Sequence, residues 1–239
     1  MSISVVSSFA AAQELPGGSV GLMTQGQSLD WEAGLDGQFS WTNDGYNFTG
    51  SDSGSGWAMQ WNMLASGTAS AESIVTSFTV INTGSTTETF YLHFHQAIMG
   101  DYATGSLVGG SIAGTFTDLN GNGVSVSALS GGSIYSALVD TTDPLTDGTI
   151  VGTLLDGQQG SASGFGSGNF LSESFGNVPS IPGANGPAID SNFGVLLAFD
   201  LSAGDTAAFT TSMAIATPAP GALAMFGIAG LSRRRRRTA

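Results

Sequence analysis

The sequence predicts an all-β fold: two sheets packed as a β-sandwich or jelly roll, followed by a short hydrophobic helix at the C-terminus. Three observations carry this expectation. Apolar side chains recur at every second position through most of residues 19–216, the period of a half-buried strand. The intervening segments are rich in Asn, Asp, Gly and Ser, the residues that turn a chain. Glycine numbers 36 and charged residues are only 10%, so long runs of the strongest helix formers are missing. A chain of 239 residues suffices for one sandwich core, and neither a linker nor an internal repeat divides it.

Residues 1–12 have two competing readings. Ala10-Ala11-Ala12 has the small-residue look of a signal-peptidase site, here without a basic start. Ile3, Val5 and Phe9 could equally alternate along a first strand. The body is assigned to residues 13–216. Phe39 and Trp41 alternate, Asn43-Asp44-Gly45 turns, and Tyr46 and Phe48 return, which reads as a hairpin. Trp57, Met59, Trp61 and Met63 fall on one strand face, and burying each is worth about 1.5–3 kcal/mol, so core is expected. Ile74–Ile81 and Thr87–Ala97 flank the polar turn 82–86 as a second hairpin. Phe90, Leu92 and Phe94 share one face of the latter strand; Tyr91, His93 and His95 share the other. Ser111–Asp118 and Val124–Leu129 bracket Leu119–Gly123 as a third hairpin, and Ile134–Asp140 and Thr149–Leu155 add two strands. Residues 157–192 lose periodicity and read as one long loop. Val195–Leu201 and Ala207–Ile215 around Ser202–Asp205 read as a closing hairpin. The count is ten to twelve strands.

Charge is distributed unevenly. All five basic side chains are Arg233, Arg234, Arg235, Arg236 and Arg237, so the 18 acidic groups before them have no Lys or Arg among them. Such a surface repels phosphate backbones, which excludes nucleic acid as a partner. Cysteine is absent, removing disulfides, thiolate catalysis and cysteine metal sites.

Five motifs bear on chemistry. Asp118, Asn120 and Asn122, with Gly121 and Gly123, match the first half of a calcium loop. Leu129 stands where the bidentate Glu should be, and the same Asn-Gly-Asn-Gly suits a plain turn. No other cofactor is implied. Asp140, Asp143 and Asp147 form a second acidic group in a loop. His93-x-His95 offers two imidazoles on one face, and a metal would need a carboxylate from another strand. Gly17-Gly18-Ser19-Val20-Gly21 spells a nucleophile elbow without the following helix, and Gly164–Gly168 echoes a phosphate loop without its lysine. The expectation is a protein that is not an enzyme.

The tail, Thr217–Ala239, comprises Pro218-Ala219-Pro220, the apolar run Gly221–Leu231 and the arginine block. The prolines cannot continue a β-ladder. The apolar run is shorter than the ~20 residues of a stable span, and arginines resist translocation. These residues resemble the PEP-CTERM sorting signal, also labelled the ice-binding-protein C-terminal domain, with Ala219 in place of the central Glu. The resemblance implies export, transient anchoring in the inner membrane, and recognition and removal of the tail by an exosortase-type enzyme. The domain would then reside at the cell surface or in exopolysaccharide. The leading expectation is therefore a non-enzymatic surface or matrix β-sandwich. A calcium-assisted carbohydrate-binding or adhesion module is the alternative, and an extracellular hydrolase the third.

Overall fold

The computed structural model describes residues 17–24, 26–177 and 182–218. The readings of residues 1–12, the C-terminal helix, Ala219, Pro220 and Arg233–Arg237 lie outside these residues. The described chain is all-β, with strands β1 (Gly18–Thr24), β2 (Gln27–Glu32), β3 (Gln38–Trp41), β4 (Gly45–Gly54), β5 (Trp57–Thr68), β6 (Ala71–Asn82), β7 (Glu88–Ala97) and β8 (Ser106–Asp118). There follow β9 (Val124–Ala128), β10 (Ser133–Val139), β11 (Thr149–Asp156), β12 (Gln159–Ala162), β13 (Ser167–Phe175), β14 (Ala184–Gly186), β15 (Asn192–Leu201) and β16 (Asp205–Ala216).

They form two antiparallel sheets packed as a β-sandwich. The first runs β11-β10-β15-β7-β1-β2, with β9 also on β15 and β12 on β9. The second runs β13-β8-β16-β6-β5-β4-β3, with β14 on β8. Trp57, Met59, Trp61 and Met63 are all buried, as their alternation requires. Phenylalanines join the sheets across the middle: Phe78 lies 5.5 Å from Phe94 and 5.4 Å from Phe209, and Phe209 lies 5.1 Å from Phe199. Offset ring pairs add to the burial of their apolar area.

Three expected hairpins are corrected. β6 and β7, β8 and β9, and β15 and β16 lie in different sheets, so their turns are crossings from one sheet to the other. The physical reason is that Asn, Asp and Gly bend a chain equally well into a hairpin or over a corner; long-range pairing decides between them. β16 pairs instead with β6 and β8 along its whole length. The expected loop 157–192 contains β12, β13 and β14, and sixteen strands replace ten to twelve. β13 hides its alternation with a register shift between Phe170 and Glu173. The hairpin β3–β4 forms as expected.

Candidate functional site

Four crossings between the sheets, β6–β7, β8–β9, β12–β13 and β15–β16, meet at one end of the sandwich, and Asp118 ties two of them together. Its carboxylate is buried and accepts four backbone N–H bonds: from Asn120 (3.0 Å) and Gly121 (2.7 Å) on one oxygen, and from Gly123 and Phe165 (both 2.8 Å) on the other. One side chain thus pins both the β8–β9 and β12–β13 crossings. Gly121 and Gly123 adopt φ of 85° and 96°, which the Asn-Gly-Asn-Gly turn chemistry anticipates. Burial pushes the Asp118 carboxyl up, but the four N–H donors together hold it below the usual carboxylate range. A cation at Asp118, Asn120 and Asn122 would have to displace those donors. Asn120 donates to Ala203 O (2.8 Å), and Asn122 N donates to Asn120 Oδ1 (2.9 Å).

The other two crossings lock onto the same corner. Asn82 donates through Nδ2 to Thr86 O (2.8 Å) and Leu201 O (2.9 Å). Ser202 donates to Asp205 and accepts from Ser125 N (2.7 Å). Carboxylates do similar work at the opposite end. Buried Glu72 accepts from Met99 N, Gly100 N (both 2.9 Å) and Tyr102 Oη (3.1 Å). Asp140 accepts from Asp190 N and Ser191 N, both at 2.8 Å. Asp147 accepts from Thr141, Thr142 and Asp143, which holds it well below the usual range, the Thr142 hydroxyl contributing most. Asp143 receives Leu145 N and Thr146 Oγ1. In a body without Lys or Arg, backbone N–H groups and hydroxyls provide the counter-dipoles that basic side chains usually supply.

The histidines occupy the outer face of the first sheet. Small Ser19 and Gly21 on β1 lie between His93 and His95 on β7 and Asp30 and Glu32 on β2. His93 Nε2 meets Asp30 Oδ1 at 3.0 Å. Gly21 permits this reach, since a Cβ there would sit 1.8 Å from His93 Nε2 and 2.4 Å from Asp30 Oδ1. The His93 and His95 rings stack in parallel, centroids 5.9 Å apart. Ser19 Oγ lies 3.1 Å from His95 Nε2 and 3.2 Å from its Nδ1. Burial pulls His95 down to about 4, with His93 adding to the effect and Asp30 opposing it. The Asp30 carboxyl is lowered, chiefly by its hydrogen bond from His93.

Asp30 therefore orients one imidazole while Ser19 contacts the other, so acid, base and hydroxyl do not line up on a single ring as a hydrolytic relay needs. Among the described residues no three His, Asp or Glu groups converge on a metal position. Sequence reasoning missed Asp30 and the room that Gly21 makes for it, because cross-strand pairing, which brings them to His93, leaves no local signal. The Ser19–His95 contact was likewise hidden. Gly164–Gly168 forms part of the β12–β13 crossing, where Gly166 O accepts Asp118 N (2.9 Å). Of the tail motif, Pro218 is described. It is exposed just beyond β16, whose last tie is Thr217 N to Ser70 O at 2.9 Å.

No family model matches the chain, and no curated protein matches it. Among solved structures, a chain from the structure of infectious bursal disease virus Gx strain is 13% identical with a TM-score of 0.20. The alignment covers 90% of this chain and 59% of the viral one, so this chain spans less than two thirds of its length. Similarity at that level transfers neither fold nor function.

Proposed function

We propose that this chain is an exported, non-enzymatic surface or matrix protein, delivered by its C-terminal segment and built around an acidic β-sandwich. The observation that carries the reading is the order of the tail: Pro218-Ala219-Pro220, then Gly221–Leu231, then Arg233–Arg237, with every basic residue of the chain in the last block. The body has no Lys or Arg, so the one block that resists translocation comes last, directly after the apolar run. The exit geometry suits processing. β16 ends at Ala216, Thr217 N donates to Ser70 O, and exposed Pro218 offers no N–H to prolong the ladder, which leaves it accessible to a processing enzyme.

On this reading the arginine block stays cytoplasmic, an exosortase-type membrane enzyme cuts near the prolines, and the body passes to the cell surface or exopolysaccharide. Deleting residues 218–239 should send the body into the medium without processing. A deletion variant that remains as cell-bound as the wild type would refute the sorting role.

A further inference from the structure

The second sheet carries acidic residues only where they face inward or toward the other sheet. Its strands contain Asp52, Glu72, Asp118, Glu173 and Asp205. Asp52 is exposed but accepts Trp31 Nε1 from the first sheet at 3.2 Å; Glu72, Asp118 and Asp205 are themselves buried; and Glu173 accepts Leu155 N from the first sheet at 2.8 Å. The outward positions are different. One row reads Asn169, Thr115, Ala208, Thr79 and Gln60 across five hydrogen-bonded strands, and the next reads Ala113, Thr210, Ser77 and Asn62. In a protein with 18 acidic residues, neither of these two rows bears a charge.

The face is also concave. A shallow trough of about 600 Å³ crosses it over β13, β8, β16, β6 and β5. Alanines 113 and 208 keep its middle low, while Asn169 stands on one side and Gln60 and Asn62 on the other. At about 4.8 Å per strand the five-strand row is about 19 Å long and the four-strand row about 14 Å, the scale of an extended oligomer rather than a single small molecule. The side chains of Gln60, Asn62, Thr79, Thr115 and Asn169 have no hydrogen-bond partner among the described residues, so they are open to a ligand. Apolar side chains border the polar floor: Leu171 is 79% exposed on the β13 side, and the cross-strand pair Leu64 and Val75 is about 40% exposed on the β5–β6 side.

We infer that this face binds an uncharged polysaccharide, laid across the strands of the second sheet. Amides and hydroxyls exchange hydrogen bonds with sugar hydroxyls at little net cost. The bordering Leu and Val side chains can cover the C–H faces of sugar rings. The competing occupants fit worse. A nucleic acid or anionic glycan would meet an acidic body without a single cation. A protein partner usually anchors through buried aromatic or Arg side chains, and this face offers neither as an outward side chain. The inference rests on the surface role proposed above for its biological setting and names a partner there. Its test is separate from tail processing.

The experiment is affinity electrophoresis of the purified full-length chain through gels containing dextran, galactomannan or barley β-glucan, with alginate as the anionic counterpart. Retardation by at least one neutral polymer is expected, with no alginate retardation that depends on the trough. Thr210→Trp, which fills the trough, and Asn62→Ala, a milder change at an exposed position, should each weaken retention by the neutral polymer at least tenfold. Ser136→Trp on the first sheet's outer face should leave it unchanged. Free mobility in all three neutral gels overturns the inference, as does neutral-polymer retention that survives both trough variants or alginate retention that Thr210→Trp removes. A dimer detected by light scattering and abolished by Thr210→Trp would instead assign the face to a second copy of the chain.

Discussion

The two outer faces of this sandwich are built from the same strand geometry and opposite chemistry. On the first sheet, small Ser19 and Gly21 make room for His93, His95, Asp30 and Glu32, and side chains meet across three strands. On the second, Thr, Ser, Asn, Gln and Ala repeat across five strands, with few mutual side-chain bonds and no charge. The difference teaches where acidity is tolerated in a protein with no basic side chain in its body. Glu72 and Asp118 sit near strand ends, where backbone N–H groups converge, and Asp30 sits beside an imidazole. The two outward rows of the second sheet are kept free of them.

The largest expected effect lies at the corner that ties the two sheets together. Asp118→Ala leaves Asn120, Gly121, Gly123 and Phe165 N–H without their acceptor, and it should lower the melting temperature more than replacement of any exposed carboxylate. A scanning-calorimetry trace close to wild type would break the corner account.

Next comes pH, which should act through the first face alone. The unfolded imidazole titrates near 6.5, whereas folded His95 is pulled down to about 4. Between those values the unfolded chain binds a proton that the folded chain resists. Stability is therefore complete above about pH 6.5 and falls toward pH 4, by up to about 3 kcal/mol. Asp118 behaves separately: its lowered carboxyl keeps its contribution through that window and gives it up only below the ordinary carboxylate range. Urea midpoints measured across pH should show the slope in wild type and lose it in His95→Gln.

A smaller effect sharpens the contrast between the faces directly. Gly21→Val puts a branched side chain where His93 and Asp30 meet, and overpacking of this kind costs about 1–3 kcal/mol. The same branched side chain at Ala208, outward and half-buried on the second sheet, should change stability by less than about 0.5 kcal/mol. Equal costs at the two positions would show that the faces do not differ in packing.

Much of this fold is legible in the sequence because strand faces are written in a period of two. Trp57 through Met63 announce their burial, and Phe90, Leu92 and Phe94 separate cleanly from Tyr91, His93 and His95. Partnership is not legible in the same way. The turn at Ser202–Asp205 has the residues of a hairpin, yet β15 and β16 part to different sheets because each finds longer partners elsewhere. The strands within 157–192 were hidden by short length, by abundant Gly and Ser, and by the register shift in β13. For the site, the sequence places Asp118 in a turn but does not disclose that Phe165, far along the chain, supplies its fourth N–H. The uncharged rows are readable only once the register aligns residues from five strands.

The proposed route to the surface is tested most directly at the end of the chain. Intact-mass measurement of the protein recovered from its native host's surface or matrix should give a species ending near Pro218–Pro220, without Gly221–Leu231 and Arg233–Arg237. Its body would then carry no Lys or Arg at all. A mature protein that still contains all five arginines would contradict the account.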